Sequence, residues 1–119
     1  MKAEHSLLKS FEYAFDGIKT EFKKGRNFRI QISMGVLAVV LGIILKIPNY
    51  EWFDLILVIA SVLILELINT AVESIVDMVS PEIQEKARIA KDVSAGAVLV
   101  ASIAAVFVGA FLFLPKIFQ

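Results

Sequence analysis

The chain has 119 residues, of which 58% are hydrophobic, and a mean hydropathy of +0.78, too apolar for an ordinary soluble domain of this length. Acidic and basic side chains balance at 12 each, so no nucleic-acid partner is expected. Cysteine is absent and His5 is the single histidine, which excludes a disulfide framework, a thiolate metal site, a thiol nucleophile and a zinc centre.

The N-terminus carries charge of both signs and lacks a short apolar segment with a small-residue cleavage site, so no signal peptide is expected and the chain should remain intact. Leu8, Phe11, Phe15, Ile18 and Phe22 then recur at spacings of three and four, with Lys9, Glu12, Asp16, Lys19 and Lys23 elsewhere on the wheel. This spacing predicts an amphipathic helix over about residues 6–24. Its apolar stripe can lie among lipid headgroups, while Lys19, Lys23, Lys24, Arg26 and Arg29 suit an anionic leaflet. It reads as a surface anchor, or as an anchor that also walls a site at the membrane surface. Gly25 is a break before the next helix.

Residues 28–47 form an apolar segment of about 30 Å, the thickness of a hydrocarbon core. Arg29 and Gln31 at its start and Lys46 at its end are expected to snorkel to the interface, and Gly35, Ala38 and Gly42 allow close helix contact. Pro48 and Asn49 break the chain, and Tyr50 and Trp52 suit a membrane boundary. A second span is expected over about 53–79, and Ser80, Pro81 and Glu82 end that helix or start another. Glu82, Glu85, Lys86, Arg88, Lys91 and Asp92 read as a short charged connection. The uncharged residues 93–114 make a third span, with Ala97, Ala101, Ala105 and Gly109 on one small-residue face, and Pro115 and Lys116 close it. The expected fold is a single all-α membrane domain over 1–119, an amphipathic surface helix followed by three transmembrane helices.

Orientation follows from the basic residues. Seven Lys and Arg lie up to Arg29 and three lie between spans two and three, against only Lys46 and Lys116 on the other side. The N-terminus and second connection are therefore expected to be cytoplasmic, with the C-terminus outside.

Span two carries the unusual chemistry. Glu66, Asn69, Thr70, Glu73 and Asp77 fall within roughly a third of the helix circumference. An acid near mid-bilayer costs roughly 2.5 to 3.5 kcal/mol on insertion scales, so this stripe must face protein, water or a ligand. A hydrogen-bonded seam between helices would explain one Asn or Thr. Three acids in register call for a cation or a proton, and a metal-phosphate site supplies both. With Lys91 available to offset phosphate charge, the grouping suits phosphoryl transfer. Buried acids equally suit a proton or cation pathway, and neither a phosphate-binding G-x-x-x-x-G-K-[ST] loop nor a protein-kinase glycine loop occurs.

The run from Glu66 to Glu73, reading ELINTAVE, with Val76-Asp77, Ala90-Lys91-Asp92, Tyr13, Gly17 and Asn27-Phe28-Arg29, resembles the small prokaryotic diacylglycerol kinase family, which includes undecaprenol kinases. The resemblance covers nearly the whole chain. It implies a homotrimer in the cytoplasmic membrane, with composite sites near the cytoplasmic face that transfer the γ-phosphate of ATP, bound with Mg²⁺, to a lipid alcohol. Carried over to this chain, Glu66 would be the general base beside the lipid and Glu73 a metal ligand at the nucleotide. Asn69 and Asp77 would be polar members of the site, Tyr13, Lys91 and Asp92 nucleotide contacts, and Gly17 a lipid contact. The ELINTA wording with a Trp after the first span looks more like the undecaprenol branch than the diacylglycerol one. Gly25 stands where the family usually has a second metal-binding Glu. Glu21, one turn earlier, is either a replacement or a solvated surface acid, and loss of activity and a non-enzymatic channel or assembly subunit remain the alternatives.

Overall fold

The computed structural model describes residues 6–82 and 84–119. His5 lies outside the described residues. Four helices account for nearly all of them: α1 (Leu7–Lys24), α2 (Arg26–Leu45), α3 (Asn49–Val79) and α4 (Glu85–Ile117). The last three are long and apolar enough to cross a membrane, so the chain is an all-α membrane protein.

Several helix boundaries have a local cause. Ser6 caps α1 by accepting from the Lys9 N–H at 3.2 Å. Only Gly25 separates α1 from α2, in an extended conformation. The Arg29 guanidinium folds back to donate to the carbonyls of Phe22 and Lys23, at 2.8 and 2.9 Å, and so covers the open end of α1. Arg29 is thus a cap for α1 rather than a side chain reaching freely for the interface. At the far end of α2, Lys46 is left-handed (φ 55°). The N–H of Ile47 bonds the Gly42 carbonyl and that of Lys46 the Ile43 carbonyl. These bonds form a Schellman motif built on lysine instead of glycine.

Two boundaries differ from expectation. α3 begins at Asn49, before the expected start of span two, because Pro48 accepts from the N–H groups of Glu51 and Trp52 and sets the first turn. The charged connection after span two is largely helical, its residues from Glu85 onward forming the first turns of α4. Arg88 pairs there with Glu85 at 2.6 Å and Asp92 at 3.0 Å, the i,i+3 and i,i+4 spacings that support a helix. α4 also runs through Pro115 to Ile117, and Lys116 donates to the Leu112 carbonyl in that last turn.

A buried apolar cluster lies at the end away from the acidic stripe. Ile47, Leu55, Leu112 and Phe113 form the buried cluster, with Trp52 and Leu45 against it. Gly42 admits the Trp52 ring, 2.9 Å from where a Cβ would stand, and Gly35 admits Ile59. Lys116 lies 2.6 Å from Glu51, tying the end of α4 to the start of α3 in a half-buried ion pair. α3 packs most extensively against α4 and next against α2, while α1 rests lightly on α2 and α3. The outer faces remain apolar, with Leu37, Ile44, Val100 and Phe111 exposed.

Candidate active site

Along α3 the polar stripe is graded. Glu66 and Asn69 are buried, at 6% and 8% exposure, Thr70 and Glu73 are half-buried, and Asp77 is exposed. The rise of 1.5 Å per residue makes this a ramp of about 16 Å from the helix interior of the bundle to its polar end. Glu66 accepts from Gln31 Nε2 of α2 at 3.2 Å. The Asn69 Oδ1 is buried and accepts no hydrogen bond among the described residues.

At the exposed end, Lys91 of α4 donates to Asp77 Oδ1 at 2.7 Å. Lys91 precedes the uncharged part of α4, so it stands outside the span. The Asp77 hydrogen bond, with the charges of Asp77 and Glu73, raises its ammonium above the ordinary lysine value despite an opposing desolvation cost. A cation is therefore fixed beside two carboxylates of the stripe. Asp92 points elsewhere on α4, where it pairs with Arg88. The expected grouping of Lys91 with Asp92 is thus two separate ion pairs, because neighbouring residues on a helix face about 100° apart.

α1 closes the other side. Thr70 donates its hydroxyl to Glu21 Oε2 at 2.8 Å, linking α1 to the stripe. A groove of about 550 Å³ runs there, lined by Ala14, Gly17, Ile18, Glu21, Leu67 and Thr70. Gly17 leaves it open, with no atom within 4 Å of where its Cβ would lie. Tyr13 is exposed on the same helix. α1 therefore walls a groove beside the stripe.

Two side chains are placed otherwise than their sequence suggested. Glu21 is 7% exposed rather than solvated. Its carboxylate occupies the room that a side chain at position 25 would need, Oε2 lying 2.5 Å from an ideal Gly25 Cβ. Gln31 turns inward to Glu66 instead of snorkelling. The signal for both was available only as an amide or acid bordering an apolar run; which way each faces depends on how α1 and α2 cross α3. Among the described residues no three acidic or imidazole side chains converge as a preformed metal cage.

The family model described as prokaryotic diacylglycerol kinase matches residues 12–113. A diacylglycerol kinase of Synechocystis sp. is 46% identical over 113 residues, covering 94% of this chain and 65% of that protein. The chain thus spans just under two thirds of that relative's length. An undecaprenol kinase of Bacillus subtilis is 34% identical over 111 residues, covering 93% of this chain and 90% of the relative. A diacylglycerol kinase of Escherichia coli K12 is 32% identical over 100 residues, covering 84% and 82%.

Proposed function

The chain belongs to the prokaryotic diacylglycerol kinase family, a family of lipid kinases, and from that premise we propose that it transfers the γ-phosphate of ATP to the hydroxyl of a membrane-dissolved alcohol. The observation that carries this reading is the ramp of α3, on which one helix leads from a buried carboxylate to a cation-bearing surface. A lipid hydroxyl and a water-borne nucleotide must meet across such a boundary.

The residues present fit a nucleotide carried with Mg²⁺. This ion is usually held by one or two carboxylates together with substrate phosphates, not by an all-protein cage. Glu73 is half-buried and has no cationic side chain within ion-pairing distance among the described residues, so it would hold the metal. When bound, Mg²⁺ neutralises phosphate charge. Glu66 takes the proton of the acceptor hydroxyl as its oxygen bonds to the γ-phosphorus, the bond to the β,γ-bridging oxygen breaks, and ADP leaves. Asn69 and Asp77 line the path, Lys91 offsets phosphate charge, Tyr13 borders the nucleotide, and Asp92, which turns from Lys91 toward Arg88, contacts it from the adjoining face of α4. Gly17 keeps the α1 groove open to lipid.

The acceptor is undecaprenol or diacylglycerol. The ELINTA run favours the first, and the relative of 46% identity is named for the second. The site faces the cytoplasm, as the seven basic residues up to Arg29 support, and a homotrimer shares it. Labelled ATP with both alcohols in mixed micelles is the test, comparing the parent with Glu66→Gln and Glu73→Gln. Transfer in the parent that is markedly lower in both variants at the same Mg²⁺ concentration is expected. Unaltered transfer in both overturns the site, and ion flux without transfer by any form would return the chain to the channel class.

A further inference from the structure

Gln31 sits on α2 beside the buried end of the stripe. One terminus of its amide is committed, Nε2 donating to Glu66 Oε1 at 3.2 Å. The other, Oε1, is buried and accepts no hydrogen bond among the described residues. Gln31 also lines an otherwise largely apolar cavity of about 210 Å³ with Met34, Gly35, Ala38 and Val62. Water would find few partners there, so the orphaned oxygen is not readily explained by solvent.

The two protonation states of Glu66 use this amide differently. An ionised carboxylate only accepts, so it can engage Nε2 and nothing else of Gln31. A protonated carboxyl also donates, and its O–H matches the unsatisfied Oε1 of the same amide. An acid and a primary amide then close a ring of two hydrogen bonds, N–H to carbonyl and O–H to carbonyl. Because Nε2 already holds one carboxylate oxygen, the second bond needs no new partner.

We propose that Gln31 is a positioning residue for Glu66, orienting the carboxylate before transfer through Nε2 and holding the acquired proton afterwards through Oε1. The inference rests on Glu66 being the base of the reaction above. The proton comes from the acceptor hydroxyl, passes to the Glu66 oxygen away from Nε2, and is released once ADP and the phosphorylated lipid have formed. The vacant acceptor is thus the resting partner of the protonated state.

The test compares the parent, Gln31→Met, which keeps length but removes both hydrogen-bonding groups, and Gln31→His, which keeps one donor and one acceptor. Gln31→Met should lower kcat at least tenfold with both KM values within twofold, and Gln31→His should recover part of it. Infrared difference spectra on acidification, with Glu66→Gln identifying the Glu66 carboxyl band, supply a readout independent of turnover. That band should lie at lower frequency in the parent than in Gln31→Met. A parent-like kcat in Gln31→Met, or a band that does not move, overturns the proposal. Should the parent transfer no phosphate, the lipid-kinase reading fails, while the infrared comparison still decides whether Gln31 holds the proton.

Discussion

Glu66 and Glu73 stand two helical turns apart on one face, yet one is buried against an amide and the other borders the polar end. Their conservative variants should therefore fail differently. Glu66→Gln should lower kcat by about 10² to 10⁴, the usual worth of a positioned base, with the KM for ATP little changed. Glu73→Gln should raise the Mg²⁺ concentration needed for half-maximal rate. Titrating both variants with Mg²⁺ checks this, and equal responses would refute the division of roles. Gly25 and Glu21 form a second residue-scale pair. A Cβ at position 25 would meet Glu21 Oε2 at 2.5 Å and the Glu21 carbonyl at 2.8 Å. Gly25→Glu should therefore destabilise, and Glu21→Ala combined with Gly25→Glu should lose less, since only the backbone contact remains. Thermal unfolding in detergent measures the difference; a double variant worse than Gly25→Glu alone would count against the shared space. These two side chains could not be placed from sequence. Glu21 and Gln31 each border apolar runs, and their burial is decided by helix crossings that periodicity does not encode.

Helices, by contrast, were largely written in the chain. Long uncharged runs must be helical in lipid because every backbone group needs an internal partner, and Gly25, Pro48 and Pro81 punctuate them. The charged residues 85–92 read as a connection, yet they are the first turns of α4, because opposite charges three and four residues apart stabilise a helix. Element-scale stability can be improved at Lys46. Its left-handed conformation costs roughly 1 to 2 kcal/mol for a residue with a Cβ, against roughly 0.5 to 1 kcal/mol of extra chain entropy for glycine. Lys46→Gly should then stabilise by about 0.5 to 1 kcal/mol, seen as a higher unfolding midpoint in detergent. An unchanged or lower midpoint would show that the lysine side chain contributes more than its backbone strain costs.

At the scale of the whole molecule, α2, α3 and α4 expose most of their large apolar side chains, including Leu37, Ile44, Leu57, Val100 and Phe111. Lipid or further copies of the chain must cover them. Light scattering corrected for detergent should report a trimer, and a fully active monomer would exclude shared sites. The acidic ramp was legible because charge in a span is costly enough to need a purpose; its partners on α1 and α2 were not, since they belong to the assembly of helices. The joint at Gly25 has a mechanical corollary. With one residue between them, the surface helix and the first span are geared together and have no slack. Inserting a single helical residue between Glu21 and Gly25 would turn Glu21 by about 100° relative to that joint and swing it off Thr70, so α1 behaves as a keyed lever rather than a loosely tethered float.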